Sequence, residues 1–159
     1  MNYQDQNRDD MIIKQQEEIQ KDIANNSNLV SSRIPIKQLE SDFHSDEVFR
    51  SKVVKIGDTY SEFRRTRPDG NCFFRAVGFR LFELMLENLD EHSRVKKAIE
   101  GSKDEMVRLG MPEFTVEDFF DNFMDTLDKL KGEDKMKLEE LEETFNNEGL
   151  SNYLVVFLR

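Results

Sequence analysis

Apolar residues recur at helical spacing along most of this chain, and the pattern predicts a mainly helical protein. The first such stretch spans residues 10–24, lacks glycine and proline, and is ended by the Asn/Ser run that follows it. One face of this predicted helix carries three isoleucines: Ile12, Ile19 and Ile23. Because the stripe is thin, we expect residues 1–30 to form a helical arm that docks weakly or waits for a partner.

Two shorter helices are predicted before residue 60. Pro35 precedes three apolar residues at helical spacing: Ile36, Leu39 and Phe43. Ser45 is the expected N-cap of the second helix, because acidic residues follow it in the first turn and an apolar stripe begins after them. Both helices lie in the part of the chain that follows the arm, residues 31–159.

The strongest apolar pattern follows a polar turn. Residues 68–71, Pro-Asp-Gly-Asn, favour a turn. From Cys72 onward apolar residues occupy nearly the whole helical circumference: Phe73, Val77, Phe79, Leu81, Phe82, Leu84, Met85 and Leu86. A helix that is apolar on every side is typically buried. The pattern therefore predicts a polar turn that leads directly into a central, buried helix.

Amphipathic helices are predicted in the rest of the chain. We expect one helix from Ser93 to Leu109, a second that begins at Thr115 with an acidic residue three positions later, and a third over 134–145. Residues 153–158 form an apolar run that is consistent with either a buried strand or the first turns of a helix.

Length and composition restrict the class of protein. A chain of 159 residues is predicted to form a single domain over 1–159. Its net charge of −10 would repel a phosphate backbone, so nucleic acid is a poor candidate partner and a basic partner a better one, although solubility alone also explains acidity. The longest apolar run is too short to span a bilayer, so no membrane association is expected and a cytoplasmic or nuclear location is the default.

The single cysteine excludes an intramolecular disulfide and a cysteine-rich metal site, and no cofactor is expected. Cys72 lies where the predicted buried helix begins, and a helix N-terminus favours the thiolate. Unpaired amides of the preceding turn are candidate donors to an oxyanion, and Gly70 allows a close approach of substrate. Four arginines near in sequence also favour the anion: Arg64, Arg65, Arg67 and Arg75. The alternative reading is a small buried hydrophobic residue.

The stretch from Arg67 to Ala76, RPDGNCFFRA, resembles the signature of ovarian-tumour-type cysteine proteases, and the longer string RTRPDGNCFFRAVGF resembles the otubains in particular. Three further segments resemble otubains in the same order along the chain: NLVSSRIPIKQL, EFTVEDFFDNFMD and SNYLVVFLR. The resemblance implies a papain-like α/β (α+β) fold, of which this chain would be mostly the helical N-terminal part with most of the sheet missing. Residues 31–159 would then be the helical part of the catalytic domain and carry the nucleophile turn.

The resemblance also implies a reaction and a set of residues. It implies hydrolysis of isopeptide bonds in ubiquitin chains, with Cys72 as the nucleophile and Asp69 as the residue whose backbone N–H helps to form the oxyanion hole. Gly70 and Asn71 match the rest of that loop. The first helix would contact ubiquitin or a ubiquitin-conjugating enzyme through Ile12, Ile19 and Ile23.

One element of the family pattern is not matched. Otubains place the general base, a histidine, near the C-terminus, and the two histidines of this chain, His44 and His92, are interpreted as ordinary surface residues. Without a base a thiol lacks its proton acceptor. Three alternatives stay open: a deubiquitinase, a catalytically inactive short form that binds ubiquitin or a conjugating enzyme through its first helix, and a fragment without a stable fold.

Overall fold

The computed structural model describes residues 3–159, apart from the side chains of residues 3–7, 20 and 25. The helices, in chain order, are α1 Tyr3–Asn26, α2 Ile36–Asp42, α3 Glu47–Gly57, α4 Cys72–Glu87, α5 Leu89–Glu100, α6 Ser102–Arg108, α7 Glu113–Asp128, α8 Leu138–Asn146 and α9 Glu148–Leu158. Two short strands, β1 Ile34–Pro35 and β2 Glu62–Phe63, pair antiparallel. No described helix is long and apolar enough to cross a membrane.

The strands belong to a ribbon that the sequence pattern did not predict. Ile34 faces Phe63 in the register, and an isolated bridge joins Val30 to Thr66. The amide of Arg67 also donates to the carbonyl of Leu29 at 3.1 Å. The segment that leads into the polar turn is therefore fixed by backbone hydrogen bonds to the segment that follows α1.

Short-range capping explains where the early helices begin. The expected N-cap of α3 was Ser45, and this is wrong by one residue. The N-cap is Asp46, whose carboxylate accepts the amide of Phe49 at 3.0 Å, so a charged acceptor satisfies one of the unpaired amides of the first turn. The first helix is longer than predicted, because α1 runs from Tyr3 to Asn26.

The central helices also differ in their bounds from the predicted ones. The helix expected from Ser93 begins at Leu89, because the side chain of Asn88 accepts two amides of the first turn, and it is interrupted at Gly101. Glycine is a poor helix former, which favours the break into α5 and α6. The helix expected from Thr115 begins two residues earlier, at Glu113.

The final apolar run is helical, so the structure decides between the two alternatives left open for residues 153–158. Asn147 is the N-cap of α9, and its side-chain oxygen accepts the amide of Leu150 at 3.1 Å. The preceding helix, predicted from residue 134, begins only at Leu138. The two helices meet at Asn147 and both pack against α4.

The core forms around α4, which packs against α5, α8 and α9. Phe82 is fully buried, and its ring centroid lies 5.2 Å from that of Phe123 and 5.6 Å from that of Phe145. These edge-on aromatic contacts add to the area that the rings bury. Further fully buried aliphatic residues complete the cluster: Met85, Leu127, Leu130, Leu141, Val155.

The central helix is not buried on every side, which corrects the sequence prediction. Phe73, Val77 and Leu84 share one face of α4 and are 68%, 48% and 37% exposed. The helix instead buries two charged residues on its packed sides, Arg75 and Glu83. Hydrophobic periodicity cannot distinguish a face that a neighbour covers from one that the described residues leave in solvent.

Candidate active site

Cys72 is the first residue of α4 and is half-buried, so its thiol is neither sealed in the core nor fully in solvent. The preceding turn depends on Gly70, whose φ of 81° lies in the left-handed region that favours glycine. The helix then starts with the amide of Arg75 donating to the carbonyl of Asn71 at 2.9 Å. The turn and the helix thus place the thiol at the positive end of the helix dipole.

The amides of the turn fall into two groups. That of Asp69 donates to the carbonyl of Arg67 at 2.9 Å, and that of Asn71 donates to the Oδ1 atom of Asp69 at 3.1 Å. Those of Gly70 and Cys72 have no partner among the residues that the structure describes. The two unengaged amides flank Asn71 in sequence and are the candidate oxyanion donors in this conformation. The amide of Asp69, which the otubain resemblance assigns to the oxyanion hole, is turned towards Arg67.

An ion pair beneath the turn holds the side chain of Asp69. The Nη1 atom of Arg75 lies 2.7 Å from both carboxylate oxygens, and the guanidinium is fully buried. Partial burial alone would raise the pKa of Asp69, but the hydrogen bonds from Arg75 and from the amide of Asn71 outweigh it and lower the pKa below its ordinary value. Asp69 is therefore a carboxylate at neutral pH, with both its charge and its orientation set by partners within the site.

The arginines that were expected to favour the thiolate all pair with carboxylates. Their partners are Glu83 and Glu142 for Arg64, Asp42 for Arg65, Glu148 for Arg67, and Asp69 for Arg75. Each positive charge is thus offset by a neighbouring negative one. The electrostatic field that favours a thiolate at Cys72 therefore comes from the N-terminus of α4, and this effect is limited to the first helical turn.

Arg67 connects the turn to two helices at once. Its guanidinium donates to the carbonyls of Ala24 and Ser27 at the end of α1, at 3.2 and 2.7 Å for Nη2, and to Glu148 at the start of α9 at 2.8 Å. A cation at the last carbonyls of a helix is favoured by the helix dipole. The arm and the site are therefore joined through one side chain.

Glu83 anchors the approach to the turn and was not identified from the sequence. Its buried carboxylate accepts from Arg33 at 2.8 Å, Arg64 at 3.2 Å and Arg80 at 2.6 Å, at the edge of an open cavity of about 540 Å³. Burial would raise the pKa of Glu83, but these three hydrogen bonds lower it. The sequence signal for it was a glutamate inside an apolar helix, downstream of the arginine-rich segment 64–67.

The two histidines lie in different surroundings. His44 is exposed, as predicted, with its Nδ1 atom 2.9 Å from the carbonyl of Ser41. His92 is buried, which corrects its interpretation as a surface residue, and its Nε2 atom lies 2.9 Å from the carbonyl of Leu127. The sixteen residues of α4, about 24 Å of helix, separate Cys72 from the start of the helix that carries His92. His92 cannot accept the proton of Cys72.

The isoleucines predicted to contact a partner lie on the arm and not at the turn. Ile12 and Ile19 are 45% and 49% exposed, and Ile23, near the end of α1, is half-buried. The C-terminal end of α1 is connected to the site through Arg67, which binds the carbonyls of Ala24 and Ser27. The stripe is accessible in the described structure, and its role in binding stays a prediction.

The chain is similar to known proteins over nearly all of its length. The human "Ubiquitin thioesterase OTUB1" is 39% identical over 152 residues, which cover 95% of this chain and 55% of the relative. The Arabidopsis thaliana "OVARIAN TUMOR DOMAIN-containing deubiquitinating enzyme 1" is 34% identical over 152 residues and covers 92% of this chain and 50% of the relative. The chain thus spans about half the length of these curated relatives.

Solved structures agree with this similarity. "The structure of h/ceOTUB1-ubiquitin aldehyde-UBC13~Ub" superimposes with a TM-score of 0.83 at 31% identity, over 94% of this chain and 59% of that one. The agreement confirms the predicted fold: the chain adopts the N-terminal, mainly helical part of an otubain. The family model described as "Peptidase C65 Otubain" matches residues 22–159, which include the turn and α4. The chain therefore belongs to the otubain family of cysteine peptidases.

Proposed function

We propose that this protein is a thiol-dependent deubiquitinase in which Cys72 attacks the carbonyl that links ubiquitin to a lysine or to another ubiquitin. The observation that carries the proposal is the half-buried Cys72 at the start of α4, where no described residue accepts from the amides of Gly70 and Cys72. Family membership supports the substrate class, since relatives are called ubiquitin thioesterases.

The geometry divides the chemistry between the thiol and the turn. Attack by the Cys72 sulfur on the carbonyl carbon forms a tetrahedral intermediate with a negatively charged oxygen. The amides of Gly70 and Cys72 are donors to that oxygen, and their orientation before attack avoids reorganisation during the step. The thiol proton must pass to a base, and His92, separated from Cys72 by the length of α4, does not supply it.

An electrophilic ubiquitin reagent tests the proposal. Ubiquitin with a C-terminal bromoalkyl group should alkylate the sulfur of Cys72 and add the mass of one ubiquitin, as seen by intact mass spectrometry. Cys72→Ser should abolish the adduct, whereas Ser27→Ala, which keeps the carbonyl that Arg67 binds, should leave it unchanged. Absence of the adduct with the wild-type chain, or an adduct that survives Cys72→Ser, refutes the proposal.

A second candidate function is binding without catalysis. The exposed apolar stripe of α1 favours it, and one solved relative is in complex with "ubiquitin aldehyde" and "UBC13~Ub". Under this proposal the stripe docks on ubiquitin or on a ubiquitin-charged conjugating enzyme. Ile12→Asp and Ile19→Asp should weaken capture by the charged enzyme, whereas Ile13→Asp, which is 54% exposed but lies off the stripe, should not. Equal effects at all three positions count against the stripe.

A further inference from the structure

Arg75 is a charged side chain that is fully buried directly beneath the nucleophile turn. It lies one helical turn after Asn71, so its guanidinium points back under the residues that precede Cys72. It makes two kinds of side-chain contact: Nη1 with the carboxylate of Asp69 at 2.7 Å, and Nε with the hydroxyl of Ser151 in α9 at 3.2 Å. The turn is thereby joined through one guanidinium to a helix 76 residues further along the chain.

The contact with Asp69 decides which amides of the turn are engaged. The Oδ1 atom of Asp69 accepts both from Arg75 and from the amide of Asn71, the latter at 3.1 Å. Because Arg75 fixes the carboxylate, the Asn71 amide is directed to it and away from a substrate. The amides of Gly70 and Cys72, on either side, are left without a partner among the described residues. The guanidinium thus sets the donor pattern beside the thiol without touching a substrate itself.

Stability alone is a weak reason to keep this arrangement. The Nη2 atom of Arg75 is buried and has no hydrogen-bond partner in the part of the chain that the structure describes. Burying a guanidinium with one nitrogen unpaired is costly, and apolar residues of similar volume often replace buried ion pairs without loss of stability. What the guanidinium of Arg75 provides is fixed geometry, because its planar group holds the carboxylate of Asp69 and the hydroxyl of Ser151 at set angles.

We propose that Arg75 is the positioning residue of the nucleophile turn: through Asp69 it holds the Asn71 amide inward and keeps the Gly70 and Cys72 amides available for the oxyanion. This inference rests on the proposed function of Cys72, which it deepens. Ser151 has a secondary part, because its hydroxyl fixes the Nε end of the guanidinium. Both residues act through Asp69 and not on the substrate.

A comparison of two ubiquitin reagents separates positioning from reactivity. Addition of Cys72 to ubiquitin aldehyde forms a sulfur–carbon bond and leaves the former carbonyl oxygen, with the thiol proton, at the oxyanion position. Bromoalkyl ubiquitin is attacked by the same sulfur with loss of bromide and needs no oxyanion donor. Arg75→Met should lower the affinity for the aldehyde about tenfold or more and change the alkylation rate less than about threefold.

Matched variants sharpen this comparison. Arg75→Lys keeps a positive charge near Asp69 and should recover part of the aldehyde affinity. Arg65 also pairs with an aspartate, Asp42, but this pair lies on the surface. Arg65→Met should therefore change neither the aldehyde affinity nor the alkylation rate. Should Arg75→Met fail to fold, Ser151→Ala removes only the Nε contact and should lower the aldehyde affinity about twofold to threefold. An equal loss with both reagents, or no loss with either, overturns the proposal.

A readout that does not use ubiquitin distinguishes this inference from the proposed function. The amide of Asn71 should exchange with solvent deuterium at least about tenfold faster in Arg75→Met than in the wild type, because its acceptor is no longer held. Unchanged exchange at Asn71 overturns the positioning role even where both reagents react. If exchange at Asn71 is faster in Arg75→Met but the wild-type chain reacts with neither reagent, the positioning role is supported and the proposed function is refuted.

Discussion

Loss of the Glu83 charge should destabilise the fold measurably, since this carboxylate joins the ribbon before the nucleophile turn to α4. In Glu83→Gln the side chain keeps its volume and can still accept hydrogen bonds, so the change removes mainly the charge. Three arginines are affected: Arg33, Arg64 and Arg80. We therefore expect the effect to come from ion pairing and not from a cavity.

The structure sets the size of the effect. The side chains of Arg33 and Arg80 are 42% and 55% exposed, so solvent replaces much of their pairing, and each accounts for about 0–1 kcal/mol. Arg64 is only 13% exposed and stacks on Phe79, with 4.6 Å from its Cζ atom to the ring centroid. The loss of the charged partner of Arg64 is expected to cost about 1–2 kcal/mol, a range that allows for the remaining ion pair with Glu142. Together the three arginines account for about 1–4 kcal/mol.

Urea denaturation followed by circular dichroism measures this quantity. Glu87→Gln is the matched control, because Glu87 lies one turn further along α4 and is exposed. It should change the free energy of unfolding by less than about 0.5 kcal/mol. A change in Glu83→Gln that equals the control refutes the reasoning. In a double-mutant cycle with Arg64→Met, a coupling energy near zero would do so as well.

Two further predictions concern the turn and its response to acid. Gly70→Ala should lower the free energy of unfolding by about 1–2 kcal/mol, because φ is 81° at this position. Gly57→Ala in α3 is the control and should not lower it. Equal melting temperatures for the two variants contradict the prediction. The pKa values of Asp69 and Glu83 are lowered, so their contribution to stability is fully present at neutral pH and is lost as the pH falls below about 4. The acid-induced decrease in melting temperature should be shallower in Glu83→Gln than in the wild type. Identical pH profiles of the melting temperature for the two proteins contradict this prediction.

The otubain resemblance and the start of α4 could be predicted from the sequence because both depend on local information. A polar turn followed by a dense apolar run indicates where a buried helix begins, and α4 starts at Cys72 as expected. Helix ends such as Asp46 for α3 were missed by one residue, since neighbouring polar residues compete for the same capping role. The ribbon was missed because its strands are only two residues long.

Burial and charge pairing could not be predicted in the same way. His92 was interpreted as a surface residue, although it packs against α7 through a contact 35 residues away. The exposed stripe of Phe73, Val77 and Leu84 was expected to be buried, because its composition is that of a core helix. Which neighbour covers a face depends on how distant helices pack, and a single sequence carries little information about that packing.

The sequence by itself determined the helical character of this protein, the family to which it belongs and the position of its thiol at a helix start. These follow from periodicity, turn residues and an ordered series of motifs. Only the tertiary structure decided that Arg75 lies beneath the turn, that Asp69 engages the Asn71 amide, and that the nearby arginines are already paired. Such contacts join residues up to 81 positions apart, and they form only because the core brings α4, α8 and α9 together.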